Sequence, residues 1–150
     1  MTKKYEFTDE TRTLTDGTVL KRIRALIDIE DVVKAGELGG FIEKEANLSH
    51  EGKAWVADNA RVYGDAEVFD NARVSDNAWI CDYAQVFDDA RVFDSASVTG
   101  HARVFCGACI YDLATVSDNV YVSGASRVFY NAYLSGNVRV FCKAYISGDC

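Results

Sequence analysis

The sequence predicts an all-β solenoid, a triangular prism of stacked parallel coils, and three observations carry the prediction. From Ala54 to Asp149 the unit Ala-X-Val-X-X-X runs through sixteen hexads without an inserted or missing residue. Its third position, from Val56, Val62 and Val68 to Leu134, Val140 and Ile146, is aliphatic every time, and its first is Ala in thirteen of the sixteen, with Val120, Ser126 and Val138 as exceptions. Its last two positions are rich in Asp-Asn and Gly-Asp pairs such as Asp58-Asn59, Gly64-Asp65 and Asp76-Asn77.

A spacing of two places the small and the aliphatic side chain on one face of a short strand, whereas a helix of period 3.6 cannot hold a six-residue register inward. The Asp, Asn and Gly that follow suit positive φ and turn hydrogen bonds, so each hexad reads as one strand and one corner. Three hexads close a coil, and coils stack at about 4.8 Å. In the same phase Gly40/Ile42 and Ala46/Leu48 make two further units, with Gly52-Lys53 as a two-residue corner insertion. Eighteen units then give six coils and a prism about 29 Å long at that spacing.

Residues 1–39 read as an N-terminal hairpin and capping segment, and residues 40–150 as the β-helix. Tyr5-Glu-Phe-Thr and the stretch from Thr18 to Ile27 alternate as two strands around the turn Thr15-Asp16-Gly17. The hairpin is expected to cover the first coil, because an open solenoid end exposes strand edges and apolar interior. Apart from a single turn within Ile29–Lys34, no helix is expected.

Composition narrows the function. A chain of 150 residues, 49% hydrophobic, is long enough for a sizeable core. No apolar run reaches membrane-spanning length and the polar opening lacks a secretory signal, so a soluble cytoplasmic protein with no membrane partner is expected. A net charge of −7 argues against a binder of nucleic-acid backbones. Acidic mimicry of nucleic acid is a weaker idea, opposed by arginines at six outward strand positions. The odd set Cys81, Cys106, Cys109, Cys142 and Cys150 fits reduced thiols better than a disulfide framework.

Four features compete as functional sites. The outward residue after the aliphatic is Phe69, Phe87, Phe105, Ser123 and Phe141 in successive coils, an aromatic ladder along one face. A second face carries Phe93, Tyr111 and Phe129, with Arg73, Arg91 and Arg127 beside them. Stacked aromatics stabilise neighbouring strands, but an exposed aromatic and arginine stripe is also what interfaces are made of. His101, at a corner, is the one candidate catalytic base. The uninterrupted hexads leave no extruded loop to hold a substrate against it. Asp58, Asp76, Asp94 and Asp112 stack at one corner, where turn chemistry is favoured over cation binding. Cys106-Gly-Ala-Cys109 has the spacing of a redox or zinc motif, yet lacks a helix N-terminus and a second pair. No metal site and no cofactor is expected.

The period leaves handedness open, and the general crossover rule favours right-handed. The unit small-X-aliphatic-X-X-X, however, resembles the hexapeptide repeat of left-handed parallel β-helices. Arg22-Ile-Arg-Ala-Leu26, Val33-Lys-Ala-Gly-Glu-Leu-Gly-Gly-Phe-Ile-Glu43 and Asn47-Leu-Ser-His-Glu-Gly52, running into Trp55–Ala66, resemble the YdcK-type hexapeptide-repeat proteins of bacteria and phages. That family carries a transferase label by fold analogy and supplies no catalytic residues. The wider fold group implies the alternative of a homotrimeric acyltransferase with an interface histidine, for which His101 is the candidate. The phage-type likeness implies a protein that binds or blocks a host protein.

The expected function is a non-enzymatic binding or scaffold module that contacts another protein, or a second copy of itself, through the aromatic faces. With Asp149 completing a hexad and Cys150 beginning another, an end-to-end dimer through the C-terminal coil is expected, with packing through the Phe face as its competitor.

Overall fold

The computed structural model describes residues 3–148. Strand β1 (Tyr5–Thr13) pairs antiparallel with β2 (Val19–Ala25), and β2 pairs antiparallel with β3 (Leu38–Ile42). Leu14 N–H donates to Thr18 O at 2.8 Å and Gly17 N–H to Leu14 O at 3.0 Å, closing the turn between β1 and β2. Gly17 there has φ +93°, a conformation that favours glycine.

Beyond β3, sixteen short strands follow, from Trp55–Val56 to Tyr145–Ser147, one per hexad. They sort by threes into the faces of a parallel β-solenoid of about six coils. The first face holds the hairpin, β3, Arg61–Val62, Trp79–Ile80, Ser97–Val98, Thr115–Val116 and Tyr133–Leu134. The second holds five strands from Glu67–Val68 to Arg139–Val140, and the third six strands from Trp55–Val56 to Tyr145–Ser147. From Ala54 onward the register advances by three whole hexads per coil, as in Val68 beside Val86 and Arg103 beside Tyr121.

The core is that register repeated. From Ala54 to Val122 every first-position and third-position side chain is buried, Val120 included. Each buried valine contributes roughly 1.5–3 kcal/mol of apolar transfer. In the last described coil Leu134, Ala144 and Ile146 are partly buried and Val138 is 41% exposed. Gly148 is described, whereas Asp149 and Cys150, on which the expected end-to-end dimer turns, lie outside the described residues.

The corners explain the absence of proline and the abundance of aspartate. The fifth position of each hexad from Asp58 to Cys142 has φ between +53° and +78°, occupied by Asp or Gly except at Cys106, Tyr130 and Cys142. Aspartate tolerates this conformation and adds a bond across coils. The Asp58 carboxylate accepts the Asp76 N–H at 3.2 Å, Asp76 accepts from Asp94 at 3.1 Å, Asp94 from Asp112 at 3.1 Å, and Asp112 from Tyr130 at 3.0 Å. The corner carboxylates serve as backbone acceptors.

The first coil departs from the repeat in two places. The Gly52-Lys53 insertion is present as expected, since Ile42 pairs with Val62 and Leu48 with Val68, each partner lying two positions beyond the regular coil register. The Ala46/Leu48 unit is a correction. Ala46 is exposed, and Glu45–Asn47 forms one 3-10 turn in place of a strand. Leu48 still points inward, but the buried partner before it is Asn47. Asn47 N–H turns back to Lys44 O at 3.0 Å, and its side-chain amide donates to Ala66 O at 2.8 Å and Gly64 O at 3.2 Å in place of strand donors. Its Oδ1 accepts the N–H groups of Lys44 and Glu43 at 2.9 and 3.1 Å.

The single turn expected within Ile29–Lys34 is present as a hydrogen-bonded turn, not a helical one: the Val32 and Val33 N–H groups donate to Ile29 O at 2.9 and 3.1 Å. Asp31 sits at φ +62°, Ile29 and Val33 bridge antiparallel, and the Asp28 carboxylate accepts the Ala35 N–H at 2.8 Å.

Candidate functional site

On the second face the rings of Phe69, Phe87 and Phe105 stack almost parallel, 2–3° apart, with centroids at 4.9 and 5.0 Å. The spacing follows from the coil repeat, and each ring is half-buried by its neighbours. Ser123 interrupts the column, and Phe141 beyond it is 63% exposed. Tyr121, one column over, meets Phe105 edge-on at 6.5 Å and lies between the guanidinium groups of Arg103 and Arg139 at 5.4 and 5.3 Å. On the third face Phe93, Tyr111 and Phe129 stack at 5.1 and 5.4 Å, beside Arg73, Arg91 and Arg127. Both expected ladders exist as ring stacks, on adjoining faces of one prism.

Face-to-face stacking limits what these rings can do. Inside each stack both ring faces are occupied, so the surface presents ring edges and not platforms for a flat ligand. Free ring faces occur only where a stack begins or ends.

His101 lies at the corner bordering the second face. Its ring stacks on Tyr83 at 4.8 Å, over a polar hollow of about 530 Å³ that Arg103, Gln85 and Asp65 also line. The imidazole is exposed and makes no hydrogen bond among the described residues. Among the described residues no carboxylate lies within hydrogen-bond distance to fix its tautomer and aim.

Among the described residues no group of three or more His, Cys, Asp or Glu could hold a metal ion. Cys106 and Cys142 are exposed, Cys109 is half-buried and Cys81 buried, all as free thiols. Burial raises the pKa of the Cys81 thiol, opposite to what a reactive nucleophile needs.

A polar cluster that the repeat does not announce sits under the hairpin. Lys4 is buried, and its ammonium donates to Ala54 O at 2.6 Å and Gly52 O at 3.5 Å, the carbonyls around the corner insertion. Desolvation lowers its pKa to about 8. Tyr5 stacks on His50 at 4.2 Å and donates its hydroxyl to Leu48 O at 2.7 Å. Burial, with the Glu45 charge adding to it, pushes that phenol well above its usual range. His50 Nδ1 accepts the Lys4 N–H at 3.1 Å, which assigns its proton to Nε2, facing Glu45 Oε1 at 3.5 Å. Glu45 in turn pairs with Lys3 at 3.3 Å, and this lysine foremost holds its carboxyl below the usual range. With one ring nitrogen bonded to the hairpin backbone and the other turned to a carboxylate, His50 pins the hairpin to the coil and is not free to act as a base. In sequence its only signal is that the hexad register breaks between residues 44 and 53.

The fold and its repeat define a hexapeptide-repeat β-solenoid. Residues 84–100 match the family model described as the YdcK β-solenoid repeat. Over 81 residues, 49% of its length, the chain is 37% identical to a protein of Escherichia coli (strain K12) named "Uncharacterized acetyltransferase YdcK". The match spans about a quarter of that relative, 24% of its length. In these segments the chain is similar to YdcK-type hexapeptide-repeat proteins. Among the described residues no helix is long and apolar enough to cross a membrane.

Proposed function

We propose that the chain is a non-enzymatic binding or scaffold module whose second face docks a protein partner. One observation carries this reading: the half-exposed stripe Phe69-Phe87-Phe105 runs along a flat face, flanked by the exposed Tyr83 and by Tyr121 held between two arginines. Each coil is supported by those above and below, so the stripe is presented without an ordering cost on binding. Aromatic and arginine side chains are the types enriched at interface centres. The partner is another protein, a host protein if the chain works in a phage, or a second copy of the chain.

The test is the double variant Phe87→Arg, Phe105→Arg. Both rings lie outside the core, so the solenoid should still fold while its mass by light scattering, or its recovery of a defined partner, changes. A folded variant with unchanged mass and unchanged partner binding reduces the ladder to strand support.

A second reading, acyl transfer, is favoured by the relative's name and by the hollow beside His101. It requires a second copy or a further segment to orient the imidazole. Acetyl transfer from an acyl thioester that vanishes in His101→Ala, with the fold intact, would establish it over the binding role.

A further inference from the structure

The Phe ladder has an unfilled rung at its start. One face of the Phe69 ring is covered by Phe87 at 4.9 Å, and the other looks toward the preceding coil. The residue in that column is Ser49, whose N–H donates to Val68 O at 3.0 Å, in the place a Phe holds in the next three coils. A serine cannot fill a ring's volume. The space left is an open pocket of about 370 Å³ with Phe69 at one side and Glu45, Ser49, His50, Glu51 and Glu67 around it.

The chemistry of that pocket is selective. Glu45 is held by Lys3, but Glu51 and Glu67 are exposed and in no salt bridge among the described residues. A neutral aromatic ring stacked on Phe69 would bring apolar edges against these carboxylates. An ammonium is a compact, strongly hydrated charge that cannot lie flat on the ring. A guanidinium is planar, stacks on aromatic faces and carries N–H donors in its plane for carboxylates. The chain uses this pairing itself: Arg12 and Arg22 cover Phe41 at 4.7 and 4.3 Å, with Arg22 Nε 3.0 Å from Glu10. Among the described residues no guanidinium or ammonium covers Phe69.

We infer that the pocket between Ser49 and Phe69 receives the guanidinium of an arginine side chain from a protein partner, stacked on Phe69 and hydrogen-bonded to Glu51 and Glu67. The inference rests on the proposed docking face, of which the pocket is the N-terminal end, and supplies its anchor. Arginine is among the residue types enriched at binding hot spots.

The test needs no partner. n-Butylguanidinium and n-butylammonium are titrated into the full chain at low salt, following the Phe69 ring protons by NMR, with Phe141 as the reference. Saturable shifts at Phe69 alone are expected, with n-butylammonium binding about tenfold more weakly and the surface variant Glu51→Gln, Glu67→Gln about tenfold more weakly for guanidinium. Absence of a saturable shift, or equal responses to both cations that survive the double variant, overturns the inference. In either case the ladder variant Phe87→Arg, Phe105→Arg judges the docking face separately, so the anchor can fail while the face stands.

Discussion

The backbone N–H of Asp94 donates to the carboxylate of Asp76, one coil below, at 3.1 Å, while Asp76 itself sits at φ +58°. A single residue thus makes the turn and ties two coils together. Asp76→Ala keeps the left-handed strain and loses the bond, for a cost of about 1–2 kcal/mol. Asp76→Gly loses the bond but relieves the strain, and Asp76→Asn retains an acceptor and tolerates the angle, so both should cost less. Urea midpoints in the order Asn and Gly above Ala are expected. An Ala variant as stable as wild type would mean that the corner bond contributes nothing.

Inside and outside alternate one residue apart, which a pair of neighbouring substitutions can read. Val104 is fully buried between Val86 and Val122, whereas Arg103 is exposed, its guanidinium 5.4 Å from the Tyr121 ring. Val104→Asp places an uncompensated carboxylate among valines and should cost several kcal/mol or prevent folding. Arg103→Asp should cost less than about 1 kcal/mol, the loss of one exposed cation–π contact. Thermal melts that fall equally would contradict the alternation.

The repeated part of the molecule was legible because its information is local. Ala and Val two apart fix a face, Asp or Gly at the fifth position fixes a corner, and the coil spacing then forces Phe69, Phe87 and Phe105 into a stack. The first coil was legible only in part: its corner insertion and the inward Ile42 and Leu48 follow from the repeat, whereas its polar contacts join segments far apart in sequence. Nothing near Lys4 announces that its ammonium meets Ala54 O, and Ala46-Asn47-Leu48 fits the hexad template while the chain folds it as a 3-10 turn. Composition does not distinguish a small residue that packs inward from a polar one that repairs the backbone ladder. The register that puts Ser49 in the column of Phe69 follows from the corner insertion, but the repeat does not show that a serine there leaves a pocket.

Lys4 predicts a pH dependence. Its folded-state pKa, about 8, lies below the ordinary value of 10.5 that it regains on unfolding. Below pH 8 both states hold the proton and the cost of burying the charge is fully present. Between about pH 8 and 10.5 the unfolded chain binds more protons, so this lysine's contribution to stability rises with pH. The rise should be of order 1–2 kcal/mol between pH 8 and 10, below the range in which Tyr5 acts in the opposite sense. Lys4→Met should flatten that part of the curve relative to wild type. Chemical denaturation at several pH values measures it, and parallel curves for the two proteins would refute the assignment.

Asn47 offers the sharpest separation between a residue that fills space and one that completes the backbone. Its side chain is fully buried, so an apolar replacement would be harmless if packing were its role. Its amide, however, supplies the donors for Ala66 O and Gly64 O, and its carbonyl accepts from Lys44 and Glu43. Asn47→Leu keeps the apolar volume and strands these groups away from water, each at about 1–3 kcal/mol before relaxation. Asn47→Asp keeps the acceptor but turns the donors into a carboxylate facing two carbonyl oxygens, which is worse at neutral pH and recovers in part when the carboxyl is protonated. Both variants should lose several kcal/mol, with only the Asp variant regaining stability toward acid relative to the Leu variant. Amide hydrogen exchange should locate the damage in the first coil, from Glu43 to Ala66, and leave the coils around Val104 protected. Loss of protection spread evenly along the solenoid would instead mean that the first coil is not a separate repair but part of one cooperative unit.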